Sequence, residues 1–331
     1  PGTIFDSLDG IRKWYRPPEG RAEMEPEEGL KRIWRELRLV LETAVRKWMV
    51  ADVEVGAFLS GGLDSSIIAA IAARAADWPL KTFSVGTAES LDLVAARSVA
   101  QHIGSDHHEL TFTAADLVKI LPEVIYHLES ADVDLVRSAL PTQFATTLAR
   151  RHVKAILTGE GADELFAGYA YHHTYAGKPR ALADELTRSL GAMHNVNLQR
   201  VDRITMAQGL EARTPFLDRD LIEVAQSIPA SLKMKVTGAG AQETTEKWIL
   251  RKACEVLLPA ELVWRKKAQF DEGSGTVDVL DEALSRLAGV SKPVDRKTEG
   301  KLYEQLLREQ YKEPGFIMEN AGKWMASRVP T

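Results

Sequence analysis

The sequence predicts an α/β fold: a parallel sheet with helices on both faces, followed by a helical C-terminal part. Two observations carry this. Short apolar runs alternate with helix-period segments from Val55 to about Gly159. Two of those runs stop directly at glycine-rich loops, "SGGLDSS" and "TGEGADELFAGY". In such sheets, ligands bind beyond the carboxyl ends of the strands, where strand order reverses. The economical topology sets the two loop-bearing strands side by side, with both loops at one switch point.

In chain order, "TIFDSLDGIRKWYR" reads as a hairpin, two alternating runs about the favoured turn pair Asp9-Gly10. The polar, proline-broken stretch "RPPEGRAEMEPEEG" reads as a linker. Residues 1–20 thus form a connector and residues 21–331 a larger domain. The chain begins Pro-Gly without methionine, which points to something preceding Pro1 or to a processed terminus. A helix follows with Ile33, Leu37, Val40, Leu41 and Val45 on one face.

Val55–Leu59 then reads as a buried strand, Ser65–Ala76 as a helix, Thr82–Val85 as a strand and Leu91–Ile103 as a helix. His108–Phe112 is a third strand. The next helix carries Leu117, Ile120, Leu121, Val124, Ile125 and Leu128 on one face. Another helix runs near Leu140–Arg151, and "VKAILTGEG" supplies a fourth strand. Beyond residue 170 the pattern turns helical.

Composition excludes several function classes. The 331 residues include 42 basic and 47 acidic, a net charge of −5, which offers no electrostatic case for nucleic acid or an anionic membrane. The single cysteine, Cys254, rules out an intrachain disulfide framework and fits a reducing, cytoplasmic setting. It lies in the amphipathic run "EKWILRKACEVLLP", where burial is the default role for a thiol. No apolar run approaches the ~20 residues that span a bilayer. The pair His107-His108 lacks helical ligand spacing for zinc.

In the first loop, Gly61 and Gly62 permit a tight turn and close backbone approach. The loop amides and the following helix N-terminus form an anion site, with hydroxyls from Ser60, Ser65 and Ser66. Asp64 would repel phosphate unless a cation lies between them, so a Mg²⁺ bridge is the natural reading. The same spacing also describes a plain strand–helix turn with a serine N-cap. In the second loop, Glu160, Asp163 and Glu164 lie among Gly159, Gly161 and Gly168. Three carboxylates so close repel one another, so cations, metal or arginines are expected beside them.

The lysine-bearing pattern GxxxxGK[ST] is absent. "SGGLDSS" instead resembles the PP-loop of the ATP pyrophosphatases, and "LTGEGADELFAGY" resembles the signature of the asparagine synthetase family's ligase domain. "FSVG", "RVDRITMAQGLEARTPFLD" and "WRKKAQF" are similar to three further segments of that family, in the same order. The resemblance runs from about Pro1 to Phe270. It implies a Rossmann-like sheet of the adenine nucleotide alpha hydrolase type, with ATP and Mg²⁺ as cofactors.

On this resemblance, Ser60, Gly61, Gly62, Asp64, Ser65 and Ser66 grip the leaving pyrophosphate. Leu59, Val85 and Gly159 contact ATP, the adenine being read through the backbone at Val85. Asp64 and Asp163 hold Mg²⁺, while Lys267 and Arg213 neutralise charge at the α phosphate. Glu160 deprotonates the attacking ammonia. Without the resemblance, Arg213 could pair with Glu211 and Lys267 could be a surface charge. Glu129 and Asp132 match positions near the substrate pocket, or are exposed helix residues.

The implied reaction converts aspartate to asparagine through a β-aspartyl-AMP intermediate, releasing AMP and pyrophosphate. Ammonia is either free or delivered from glutamine by an N-terminal glutaminase domain, to which residues 1–20 would be the connecting remnant. Nothing in the sequence matches that domain. Ala268 stands where relatives often carry an acidic residue. Competing readings are a lasso-peptide or β-lactam cyclase, and a catalytically silent scaffold. Glu160 argues against the β-lactam version, which carries tyrosine there. A homodimer is compatible with the sequence.

Overall fold

The computed structural model describes residues 2–21, 27–236, 244–265, 273–290 and 293–322. Contacts divide the chain into two units. One comprises Val45–Gly159, Asn195–Arg213 and Leu257–Thr331, and the other Pro1–Ala44, Glu160–His194 and Thr214–Val256.

The first unit holds a five-stranded sheet. β3 (Val55–Phe58), β4 (Lys81–Gly86), β5 (Asp106–Thr111), β6 (Ala155–Leu157) and β7 (Glu211–Arg213) are ordered β5-β4-β3-β6-β7, with every pairing parallel. Val55, Ala57, Phe83, Val85, Ile156 and Leu157 are buried, which is why these strands read as continuous apolar runs. The first strand of this sheet thus has the second on one side and the fourth on the other, and the order reverses between β3 and β6. The two strands that carry the glycine-rich loops are neighbours, as expected. β7 was not expected. Its three residues, Glu-Ala-Arg, are too short for periodicity, and hydrogen bonds at both ends extend its ladder: Glu211 N to Lys154 O at 2.9 Å and Thr158 N to Arg213 O at 2.8 Å.

Helices α2 (Leu63–Ala75), α3 (Leu91–Ile103), α4 (Ala114–Leu128), α5 (Val133–Ala149) and α8 (Asn197–Met206) belong to this unit. α2 starts at Leu63 rather than Ser65, because Gly62 takes the extended N-cap conformation. α5 starts well before Leu140, because the Asp132 carboxylate caps it by accepting from Leu135 N at 3.0 Å. Pro141 sits inside α5 and forfeits one helical hydrogen bond, a local cost that burial of the surrounding face offsets. Leu121, Val124 and Leu128 of α4 pack with Leu135, Ala139 and Leu140 of α5. Phe112 stacks on Phe144 with centroids 4.6 Å apart.

The C-terminal helices α12 (Ala260–Val263), α13 (Thr276–Ala288), α14 (Arg296–Gln310) and α15 (Pro314–Asn320) bear out the helical C-terminal part. α14 is fixed to α5 by a buried ion pair. Arg137 donates to both oxygens of Glu299 at 2.8 and 2.7 Å, and Tyr303 Oη donates to the same carboxylate at 2.8 Å.

The second unit contains the hairpin strands β1 (Thr3–Asp6) and β2 (Gly10–Lys13), turned where Asp6 accepts from Leu8 N and Asp9 N. α1 (Glu27–Trp48) buries Ile33, Leu37 and Leu41, and the unit boundary falls near its end. Short helices α6 (Ala162–Phe166), α9 (Arg219–Ser227), α10 (Ala230–Lys233) and α11 (Trp248–Cys254) accompany the longer α7 (Pro179–Ala192). Leu182, Ala183 and Leu186 of α7 pack on Ala230, Met234 and Ala167. Cys254 is fully buried, and burial pushes its thiol pKa up, away from nucleophilic use. No helix among the described residues is long and apolar enough to cross a membrane.

Glu299 has 0% exposure, so removing its partner strands a buried charge. Arg137→Met is expected to destabilise the protein by about 3–5 kcal/mol in urea denaturation. A loss below about 1 kcal/mol would mean that the pair is screened like a surface bridge.

Candidate functional site

The first loop is built by the change from strand to helix. Gly61 has φ +72°, and a Cβ there would lie 2.6 Å from Asp92 O and 2.8 Å from Ala96 N, so only glycine fits. Gly62 has φ −74° and no side-chain cap; it leaves the start of α2 unobstructed rather than supplying a left-handed turn. The first helical bond runs from Ser66 N to Gly62 O at 3.1 Å, so the amides of Leu63 and Ser65 have no acceptor within the helix. These are the donors of an anion cradle.

The serine hydroxyls are less available than the sequence suggests. Ser66 Oγ donates to Gly62 O at 2.7 Å. Ser65 Oγ accepts from Ser60 N at 3.1 Å and lies 3.2 Å from Gly62 O. Ser60 Oγ accepts from Gly62 N at 3.3 Å and sits 3.0 Å from Ser65 Oγ. When Ser65 donates to Gly62 O, the Ser60 proton is the one that can turn toward a ligand. Ser65 and Ser66 chiefly brace the loop.

β6 brings the start of the second loop to this cradle. A Cβ on Gly159 would lie 2.9 Å from Asp64 Cβ and 3.1 Å from Ser65 N, so the two loops meet backbone to backbone. Asp64, in the first turn of α2, stands at this meeting point. Leu59 N donates to Phe83 O at 2.9 Å and Leu59 O accepts from Ser84 Oγ. Val85 is buried in β4 opposite Leu110 of β5.

In the second unit, Gly161 (φ +98°) turns the chain into α6, which carries Asp163 and Glu164. The cation expected beside these carboxylates is Lys247, a residue the sequence reading missed. Its Nζ lies 2.5 Å from Asp163 Oδ1, with the lysine side chain 1% exposed. A Cβ on Gly168 would lie 1.9 Å from Asp163 Oδ1 and 2.0 Å from Lys247 Cε, so glycine there makes room for the pair. Lys247 sits inside an amphipathic run, where only its left-handed backbone (φ 55°) sets it apart, and no residue pattern announces that. Glu164 accepts from Tyr169 Oη at 2.6 Å, and its pKa is pushed up to about 8, first by burial and then by Asp163. Near neutral pH the cluster therefore carries less negative charge than its three carboxylates suggest.

A Mg²⁺ ion held mainly by phosphates and water needs only one or two protein carboxylates. Asp64, beside the cradle, fits that requirement, and Asp163 can pair with a lysine and still serve a metal. Among the described residues no group of three or more metal-ligating side chains occurs.

The Arg213 guanidinium donates to Trp48 O at 2.6 Å, to Val50 O at 2.9 Å and to Glu211 at 2.8 Å, tying the chain after α1 to β7. Glu129 pairs with Arg203 at 3.0 Å, and Asp132 is the α5 cap. Lys267 lies outside the described residues.

The Asparagine synthase family model matches residues 36–183 and 175–326. Asparagine synthetase [glutamine-hydrolyzing] 3 of Arabidopsis thaliana is 39% identical over 290 residues, covering 83% of this chain and 49% of that protein. Asparagine synthetase B [glutamine-hydrolyzing] of Escherichia coli K12 is 40% identical over 267 residues, covering 76% and 47%. The chain belongs to the asparagine synthase family. It spans about half the length of the curated relatives it matches.

Two expectations follow. Glu164 keeps its proton in the folded protein up to pH about 8 but would release it near 4.5 when unfolded. Its stabilising contribution is therefore full below pH 4.5 and lost as pH rises toward 8. Glu164→Gln cannot ionise, so its melting temperature is expected to fall less than the wild type's across that window; parallel curves would contradict the assignment. Arg213→Met removes charge-assisted bonds worth about 1.5–3 kcal/mol each and is expected to lower the melting temperature. An unchanged melting temperature with lost activity would instead put the guanidinium at the phosphate.

Proposed function

We propose that the chain catalyses ATP-dependent amidation of aspartate to asparagine. The observation that carries this reading is the backbone contact of Gly159 with Asp64 and Ser65, which joins the two family signatures at one switch point. A carboxylate is a poor electrophile, because an oxide ion would have to leave. In the proposed reaction a β-carboxylate oxygen of aspartate attacks the α phosphorus of ATP, and pyrophosphate departs. Ammonia nitrogen then attacks the acyl carbon of β-aspartyl-AMP. AMP leaves carrying the carboxylate oxygen, and the nitrogen gives up a proton.

The cradle suits a leaving pyrophosphate: the amides at the start of α2, with Gly61 and Gly62 beside them, and the Ser60 hydroxyl receive it while Ser65 and Ser66 hold the loop rigid. Leu59, Val85 and Gly159 would line the nucleoside side. Asp64 and Asp163 would hold Mg²⁺, which supplies charge neutralisation for the triphosphate. Lys267 would meet charge developing at the α phosphate. Arg213, held through Nε and Nη1 by Glu211 and the carbonyls of Trp48 and Val50, would join it through Nη2. Glu160 would take the proton from ammonia. Ammonia would arrive free or from a glutaminase domain, with residues 1–20 as the connector and 21–331 as the synthetase domain.

Incubation with ATP, Mg²⁺, aspartate and ammonium is expected to yield AMP, pyrophosphate and asparagine in equal amounts by chromatography. ADP with phosphate, or turnover independent of aspartate, would refute the reading. Glu160→Gln is expected to slow asparagine formation by about 10²–10⁴ while leaving ATP binding intact; an unchanged rate would remove Glu160 from the mechanism.

A further inference from the structure

The second unit contains a cavity of about 490 Å³, a size within the ~300–1,000 Å³ of small-ligand sites. Its wall is mostly apolar. Leu182 and Met234 are buried in it, and Tyr175, Val236 and Trp248 join them. Lys178 and Lys235 also line it, and neither has an ion-pair partner among the described residues. Lys235 Nζ lies 4.3 Å from the centroid of the Trp248 ring, a cation–π contact that holds one ammonium group at the wall. Lys178 is the N-cap of α7, which has no side-chain cap, so the positive end of that helix adds to the charge of the lysines. No aspartate or glutamate lines the cavity among the described residues. Ser231 lines it as well, and its hydroxyl is shielded from solvent with no hydrogen-bond partner. An unpaired buried hydroxyl is costly, and rotation about one side-chain bond can turn this one to an acceptor in the cavity.

We infer that this cavity is a binding site for a small carboxylate with an apolar body, the chemistry of a medium-chain fatty acid. The body lies against Leu182, Met234 and Trp248, where it removes apolar surface from water. The carboxylate pairs with the lysines, and the Ser231 hydroxyl gains the acceptor it lacks. Charge decides the class. An alcohol of the same length leaves both ammonium groups unmatched, and a cation meets two like charges. A short polar acid satisfies the lysines but gains nothing from the apolar wall. No lining residue has a role in the proposed reaction, so the inference stands apart from that reading.

Isothermal titration calorimetry of the full chain with octanoate, 1-octanol and acetate tests this. Octanoate is expected to saturate one site per chain, with octanol and acetate each bound at least about tenfold more weakly, one lacking the charge and the other the body. Lys178 and Lys235 are exposed, so Lys178→Glu combined with Lys235→Glu should keep the fold, which thermal melting checks. That double variant is expected to bind octanoate about tenfold or more weakly and octanol within about threefold of wild type. Ser231→Ala is expected to weaken octanoate about threefold or more, yet to raise the melting temperature of the free protein, because it deletes the unpaired hydroxyl. Absence of saturable octanoate binding would overturn the proposal. Octanol binding as tight as octanoate would do the same, as would wild-type octanoate affinity in both variants.

Discussion

Parallel pairing of β3 with β6, Val55 opposite Ala155 through Ala57 opposite Leu157, is the constraint on which the candidate site depends. It makes the first and fourth strands of the sheet neighbours and opens the switch point between them. It also brings Gly159 onto Asp64 and Ser65, where any larger residue would force the loops apart. Gly56 serves the same approach within the sheet, since a Cβ there would lie 2.9 Å from Phe83 and 3.2 Å from Ile156. The cradle is thus a by-product of strand order and small residues. The anion binding proposed for it would rest on backbone amides, with side chains bracing them.

Charge is managed differently in the acidic segment. Asp163 is neutralised by a buried lysine, and Glu164 is kept protonated near neutral pH by burial and its neighbours. An acidic loop built this way can approach a polyanion without presenting its full formal charge. The same logic applies at Asp92, whose buried carboxylate is matched to Arg265. Each such pair costs desolvation and returns geometry, which is the expected trade where reacting groups must be held in place.

Much of the fold was legible because its signals are local. Apolar runs ending in glycine gave β3 and β6. The start of α5 was missed, because its cap, Asp132, reads from sequence as a substrate-pocket or exposed helix residue. β7 was missed because three polar-flanked residues have no period. The site was legible only where chemistry sits in one loop, as in Ser60–Ser66 and Gly159–Glu164. Lys247 reaches Asp163 across a long separation, and Arg265 reaches Asp92 across 173 residues. Such pairs carry no local signal, and charges in amphipathic runs are usually solvated.

The central claim is that the cradle holds a leaving pyrophosphate and leaves the α phosphorus open to a carboxylate. Turnover with aspartate labelled by ¹⁸O in its β-carboxylate tests this most directly, read by ³¹P NMR of the products. One ¹⁸O atom is predicted to appear in the phosphate of AMP, with none in pyrophosphate. Label in pyrophosphate or inorganic phosphate, or unlabelled AMP, would show that the carboxylate attacks elsewhere and would contradict the account.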